Sequence, residues 1–299
     1  MINHVLEDRR RARGKTGGTL SPETLEIYQV KLGHVARVLG ETTPLAEITH
    51  EAVGRYISQR ETERVSQHTI HKELKALRFG LRLEAERGNY PHNVDHVTRT
   101  RRFAEGYKPR KRYLTWEEIP RLLMAIASPS GLASTAQAPE RAQHVMWLIA
   151  TAGRLRESYR AELDDHDFAK WTVLIRGSKT SDAEARIAIA PAFRPMLLLA
   201  ISGRPERGPL FPHWGNVHRS LLLACKRAGI ERVSPNDLRR THASLLRQSG
   251  IALEDIREVT RHATTRMLEL VYGRTNIEAT TKALERVEWP ALPPGKDGE

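Results

Sequence analysis

Cysteine is the scarcest reactive residue in this chain, because its 299 residues contain only one, Cys225. A single cysteine excludes an intramolecular disulfide and fits a reducing compartment. Cys225 ends the apolar run Leu221-Leu222-Leu223-Ala224, which predicts a small buried side chain rather than a reactive thiol. The sequence also lacks any Cys/His cluster with the spacing of zinc ligands. We therefore expect neither a metal nor another cofactor.

Long apolar segments are also missing. No apolar run approaches the ~18–20 residues that a membrane span requires. The first six residues, Met1 to Leu6, are too short and too polar for a signal peptide. We expect a cytoplasmic protein that does not contact a membrane.

Acidic residues are outnumbered, with 36 Asp and Glu against 48 Lys and Arg, and the formal net charge is +12. A pI near 10.1 indicates a polyanionic partner, although basic proteins that bind no DNA are common. The position of the charge favours nucleic acid. Residues 1–112 carry 22 basic and 14 acidic side chains, and seven of these basic residues lie between Arg99 and Arg112, where only Glu105 opposes them.

The chain divides into a small helical part and a larger mixed part. Residues 1–20 combine charge with glycine and show no apolar period, which predicts disorder. Residues 21–96 predict a small all-α domain, with helices that begin at Ser21, after Thr49 and at Ser66. Residues 97–112 are basic and aperiodic, as in an interdomain linker, whether solvated or lying along a phosphate backbone.

Residues 113–289 predict a second domain that is mainly helical with a small β-sheet. It opens on the capping box Thr115-Trp116-Glu117-Glu118. Residues Trp171–Arg176 and Arg186–Ile189 alternate as two strands of a hairpin. The other helices are predicted over residues 140–149, 193–201, 217–227, 235–248, 253–261 and 265–272, with a last one containing Ile277, Leu284 and Val287. Residues 290–299 predict a disordered tail, and the fold class is mainly α.

Five short motifs follow one another in the second domain. They are Thr151-Ala152-Gly153-Arg154-Leu155-Arg156-Glu157, then Gly177-Ser178-Lys179-Thr180, Asn236-Asp237-Leu238-Arg239, Thr260-Arg261-His262 and Tyr272-Gly273-Arg274. In this order and spacing the chain resembles the tyrosine recombinase (phage integrase) family. It departs from the family pattern in three places, since Ala152 replaces a glycine, Asn236 replaces a histidine or lysine, and Thr260-Arg261 replaces Leu-Gly.

The resemblance implies a role for each motif residue. Arg154 and Arg239 would clamp the scissile phosphate, Tyr272 would attack it as nucleophile, and Lys179 would protonate the leaving 5′-oxygen. His262 would hydrogen-bond a non-bridging oxygen or assist proton transfer. Asn236 can donate a hydrogen bond but cannot shuttle a proton, and a local capping role at its helix start is the alternative. Glu157 would support the site.

The resemblance also implies a function and its partners. It implies a site-specific DNA recombinase or integrase that needs no metal and works through a 3′-phosphotyrosyl intermediate on double-stranded DNA. Residues 21–96 would be its core-binding, SAM-like DNA-binding domain and residues 113–289 its catalytic domain. The last helix would dock on a neighbouring protomer, which gives a homotetramer on two duplexes. A topoisomerase- or resolvase-like enzyme and an accessory DNA-binding protein with a decayed site are the alternatives.

Overall fold

The computed structural model describes residues 1–12, 22–99, 110–128, 137–177, 184–262, 265 and 268–269. It divides the chain into two compact units, Met1–Lys108 and Pro109–Glu299. The described residues are mostly helical with one small antiparallel sheet, which confirms the predicted fold class. Lys179, Tyr272, the last predicted helix and the predicted tail lie outside the described residues.

The first unit consists of helices. They are α1 (Ile2–Arg11), α2 (Pro22–Leu39), α3 (His50–Thr62), α4 (Gln67–Glu86) and α5 (Val94–Val97). The side chains of Thr49 and Ser66 cap α3 and α4 by accepting backbone N–H bonds, at the two places where the sequence predicts that helices begin. The core contains Tyr56, Leu77 and Leu81, none of which is exposed.

Residues 2–11 form helix α1. The prediction that residues 1–20 are disordered is therefore wrong for this segment. Val5 is fully buried and packs with Leu32 and Ala76. The guanidinium carbon of Arg9 lies 3.5 Å from the ring centroid of Phe79, a cation–π contact. These partners lie on α2 and α4, so the periodicity of a ten-residue segment could not reveal them.

The second unit is built around one buried helix. Its elements are α6 (Glu118–Ala127), α7 (Ala138–Thr151), α8 (Leu155–Ser158), β1 (His166–Asp167), β2 (Thr172–Ile175), β3 (Ala185–Ala188), α9 (Arg194–Ile201), α10 (Val217–Ala228), α11 (Pro235–Gln248) and α12 (Leu253–Thr260). Helix α7 packs against α6, α9 and α11. Its residues 147–150 are all buried, as expected for a helix that is surrounded by protein.

The sheet has the order β1-β2-β3, and both pairs are antiparallel. Strands β2 and β3 form the predicted hairpin, in which Val173 pairs with Ile187. Strand β1 was not predicted, because two residues are too few to show an alternating pattern. The predicted capping box is present, since Glu118 N–H donates to Thr115 Oγ1 and Thr115 N–H donates to Glu118 Oε2.

Candidate active site

The first site arginine is positioned by a sharp turn at the end of α7. Ala152 adopts the left-handed conformation with φ of 49°, at the position where the family pattern has glycine. Gly153 follows, and a Cβ atom there would lie 2.5 Å from Cζ3 of Trp147. This close approach requires glycine. The turn places Arg154 immediately before α8, and its side chain remains 46% exposed.

Glu157 binds two of the arginines, Arg154 and Arg261. Its side chain is only 3% exposed, and both carboxylate oxygens accept hydrogen bonds. Arg154 donates from Nη1 to Oε1 and from its backbone N–H to Oε2, each at 2.7 Å. Arg261, 104 residues later, donates from Nη2 to Oε2, also at 2.7 Å. Burial raises the pKa of Glu157, but the bonds from Arg261 and Arg154 outweigh it and the net pKa is lowered, so the carboxylate is ionised.

Arg239 joins α11 to the end of α7. Its residue exposure is 7%, and Nη1 donates to the backbone oxygen of Ala152 at 2.6 Å. The adjacent Arg240 instead pairs with Asp237 one turn earlier on the same helix. Of these two neighbouring arginines, Arg239 is therefore the one that contacts the Thr151–Arg154 segment.

His262 follows the end of α12, where Arg261 takes the left-handed conformation with φ of 53°. Nδ1 of His262 lies 2.6 Å from the hydroxyl oxygen of Thr260. Burial and, after it, the charges of Arg239, Arg154 and Arg261 together lower the pKa of His262 to about 4. His262 is therefore neutral at pH 7, and three guanidinium groups act on it electrostatically.

Asn236 lies in the first turn of α11 with its side chain exposed. The cap of α11 is formed by other residues, because Ser234 donates from both its backbone N–H and its hydroxyl to Asp237 Oδ2 at 2.8 Å. The alternative that Asn236 caps this helix is therefore wrong. Asn236 shares the face of α11 that carries Arg239, three residues later.

Of the predicted site residues, the structure brings together Arg154, Glu157, Arg239 and His262. The sequence missed the part played by Arg261 and Thr260. In the sequence Arg261 is only a departure from the family pattern, yet its buried guanidinium binds Glu157. A basic residue directly before the site histidine was the only available signal, and its contact partner lies too far along the chain to be read from it.

The described part of the chain contains neither a metal centre nor a membrane-spanning helix. Among those residues, no three or more His, Cys, Asp or Glu side chains are grouped closely enough to hold a metal ion. No helix in the same part is long and apolar enough to cross a membrane. Cys225 is buried as predicted, and burial raises the pKa of its thiol.

Comparison with known proteins identifies the family. The model of the phage integrase family matches residues 112–278, and the model of the phage integrase N-terminal SAM-like domain matches residues 16–80. A curated relative, tyrosine recombinase XerA of Thermococcus onnurineus (strain NA1), is 24% identical over 300 residues, which is 95% of each chain.

Two solved structures show the same fold at low sequence identity. The Tn1549 transposon integrase in complex with a circular intermediate DNA is 13% identical with a TM-score of 0.64, over 96% of this chain and 99% of that one. A lambda integrase (75–356) dimer bound to a COC′ core site is 19% identical with a TM-score of 0.61, over 92% and 93%.

The fold and these matches define a site-specific recombinase, an enzyme that acts on DNA. The chain belongs to the phage integrase family, whose members are the tyrosine recombinases.

Proposed function

We propose that this chain cuts and rejoins DNA strands at a specific sequence through a 3′-phosphotyrosyl intermediate on Tyr272. The observation that carries the proposal is a cluster in which Arg154 and Arg261 bind the buried Glu157 and Arg239 binds the nearby backbone of Ala152. All three guanidinium groups act electrostatically on the neutral His262. Three guanidinium charges and one carboxylate leave this cluster cationic. A phosphodiester is the anion that such planar, multiply donating groups bind well.

Arg154 and Arg239 form the clamp on the scissile phosphate, and the protein holds their guanidinium groups by different contacts. Arg239 is almost fully buried, and Ala152 O fixes one of its terminal nitrogens. Arg154 is partly exposed and anchored by Glu157, so that donors of its guanidinium can face an incoming strand. Donors fixed before the reaction stabilise the charge that develops on the phosphorane-like transition state.

The covalent step balances with residues of this chain alone. The phenol oxygen of Tyr272 gives its proton to a base within the site and forms a bond to phosphorus, while the bond from phosphorus to the 5′-oxygen breaks. Lys179 donates the proton that makes the leaving group a 5′-hydroxyl. Asn236 donates a hydrogen bond to a non-bridging phosphate oxygen. Attack by a 5′-hydroxyl on the phosphotyrosine reverses the sequence and rejoins a strand.

We infer that residues 21–96 bind one face of a DNA duplex, that residues 97–112 link the two domains along the phosphate backbone, and that residues 113–289 carry the chemistry. The seven basic residues between Arg99 and Arg112 and the net charge of +12 support a double-stranded DNA partner. The Tn1549 integrase and the lambda integrase, which share this fold, were both solved bound to DNA. The single cysteine supports a reducing compartment, and we assign the reaction to the cytoplasm.

The active assembly that we propose is a homotetramer on two duplexes. The apolar residues Ile277, Leu284 and Val287 would dock the last helix onto a neighbouring protomer. The lambda integrase is a dimer on its core site, which supports assembly on DNA. Truncation after Asn276 should leave DNA binding by a monomer and impair the joining of two duplexes. Sizing of protein–DNA complexes tests this, and four-protomer complexes of the truncated chain at the normal level would contradict it.

Cleavage of a nicked duplex under single-turnover conditions tests the clamp. Arg239→Ala should lower the rate of covalent adduct formation by about 10²–10³, the usual effect of removing one fixed donor. Arg239→Lys should stay impaired, because an ammonium cannot reproduce the planar fork of donors. Arg240→Ala is the matched control on the same helix and should matter far less. A larger effect of Arg240→Ala would contradict the assignment.

A strand-joining assay between two duplexes then separates the outcomes of the chemistry. A recombinase joins strands from different duplexes, whereas a topoisomerase-like enzyme reseals only the strand it has cut. Duplex binding without any adduct would identify an accessory binding protein.

A further inference from the structure

The hydroxyl of Thr260 makes two short contacts, to a backbone oxygen and to His262, and a longer one of 3.5 Å to the backbone oxygen of Arg257. Thr260 is the last residue of α12 and is completely buried. Its Oγ1 lies 2.6 Å from the backbone oxygen of Ile256 and 2.6 Å from Nδ1 of His262. The second contact is possible because Arg261, between them, turns the chain back in the left-handed conformation.

The number of hydrogens available fixes the direction of the two short hydrogen bonds, from Thr260 to Ile256 and between Thr260 and His262. A threonine hydroxyl has one hydrogen to donate, and a carbonyl oxygen can only accept. The hydrogen of Thr260 therefore goes to Ile256 O, and a lone pair of Oγ1 faces the imidazole. Nδ1 of His262 must then carry the hydrogen of that second bond. In a neutral imidazole this leaves Nε2 with a free lone pair.

We propose that Thr260 is a positioning residue that holds His262 in the Nδ1–H tautomer, so that Nε2 accepts the phenol proton of Tyr272. The inference rests on the proposed function and names the base for its first step. The phenol O–H bond breaks, the proton moves to Nε2, and the phenol oxygen bonds to phosphorus. The same proton returns to the tyrosine oxygen when a 5′-hydroxyl displaces it.

Two features of the site support this assignment. Burial, followed by the charges of Arg239, Arg154 and Arg261, lowers the pKa of His262 to about 4, so the lone pair is unprotonated at neutral pH. Asn236 stands where the family pattern has a histidine or lysine and cannot take up a proton. His262 is therefore the motif residue left to act as base.

A hydrogen bond from threonine to the carbonyl four residues earlier is common in helices and has no functional meaning alone. The distinguishing contact is the one to His262, and the valine and serine variants isolate it. Thr260→Val keeps the shape and removes the hydroxyl. Thr260→Ser keeps the hydroxyl and loses only a methyl group.

Nitrogen NMR of the full chain labelled at histidine tests the tautomer without DNA. The His262 signal is assigned as the one missing from the spectrum of His262→Gln. The unmodified chain and Thr260→Ser should show a protonated Nδ1 and an unprotonated Nε2, whereas Thr260→Val should show a mixture. A protonated Nε2 in the unmodified chain would overturn the proposal, whatever the variants do.

Single-turnover adduct formation tests whether the tautomer matters. Thr260→Val should slow cleavage at least about 10-fold, with an unchanged Kd for the duplex. This is less than the ~10²–10⁴ that general acid–base catalysis contributes, because a mixture of tautomers keeps some of the active form. Thr260→Ser should restore most of the rate, and melting temperatures show whether each variant is folded. Cleavage by Thr260→Val at the normal rate would overturn the proposal. If the unmodified chain formed no adduct, the proposed function would be refuted, while the NMR spectrum would still decide the tautomer.

Discussion

Replacing His242 with phenylalanine should destabilise the second unit by an amount that depends on pH. His242 lies on α11, the helix that carries Arg239, and is fully buried. Its Nδ1 donates to the backbone oxygen of Ile149 at 2.8 Å, since a carbonyl can only accept. Its ring stacks on Phe193 with centroids 4.4 Å apart. Phenylalanine keeps the ring and loses the hydrogen bond.

At pH 7 the variant should lose about 1–3 kcal/mol of unfolding free energy, the cost of leaving the buried Ile149 oxygen without its donor. Lowering the pH should remove most of this difference. Burial lowers the pKa of folded His242 to about 4, against about 6.5 when it is unfolded. The stability it provides is therefore complete above about pH 6.5 and is lost as the pH falls towards 4. At pH 5 the loss is about 2 kcal/mol, which the phenylalanine variant does not suffer.

Urea denaturation followed by tryptophan fluorescence is the assay. All five tryptophans follow Lys108 in the sequence, so the signal reports on the second unit. His144 and His262, whose pKa values are also lowered by burial, occur in both proteins and cancel from the comparison. His218 is exposed, so His218→Gln serves as the control variant. It should change the unfolding free energy by less than about 0.5 kcal/mol. A gap between His242→Phe and the unmodified chain that is the same at pH 7 and pH 5 would refute the reasoning.

Three further predictions concern the site. Ala152→Gly relieves a left-handed alanine and should stabilise the protein by up to about 1 kcal/mol in thermal unfolding, so a clear loss of stability would count against the strain. Arg261→Gly should be more stable than Arg261→Ala by about 1 kcal/mol, because only glycine relieves the left-handed position, yet both should cleave nicked DNA more slowly because Glu157 loses a partner. Normal cleavage by both variants would exclude Arg261 from the site. Cleavage should also persist in excess EDTA, and loss of activity that Mg²⁺ restores would contradict the arginine-based mechanism.

Much of the fold was predictable because its signals are local. The caps at Thr49 and Ser66 and the box at Thr115–Glu118 each involve residues three positions apart, and all are present. Helix α1 was missed because its stability depends on packing against α2 and α4, which a window of ten residues cannot contain.

In the site, too, the residues of short motifs could be predicted, whereas contacts between distant parts of the chain could not. The motif order indicated Arg154, Glu157, Arg239 and His262, and the structure brings them together. In the sequence Arg261 is only a departure from the family pattern, because its contact partner Glu157 lies 104 residues away along the chain. The role of Thr260 depends on the backbone turn at Arg261, and a left-handed arginine cannot be predicted from composition.

The most direct test of the account is to locate the covalent bond between this protein and DNA. A nicked duplex is labelled on one strand, incubated with the unmodified chain or with Tyr272→Phe, and separated under denaturing conditions before peptide mapping by mass spectrometry. The account predicts a 3′-phosphate ester on Tyr272, no adduct with Tyr272→Phe, and nearly equal duplex binding by both proteins. An adduct in the phenylalanine variant, or a bond to the 5′ side of the break, would contradict it.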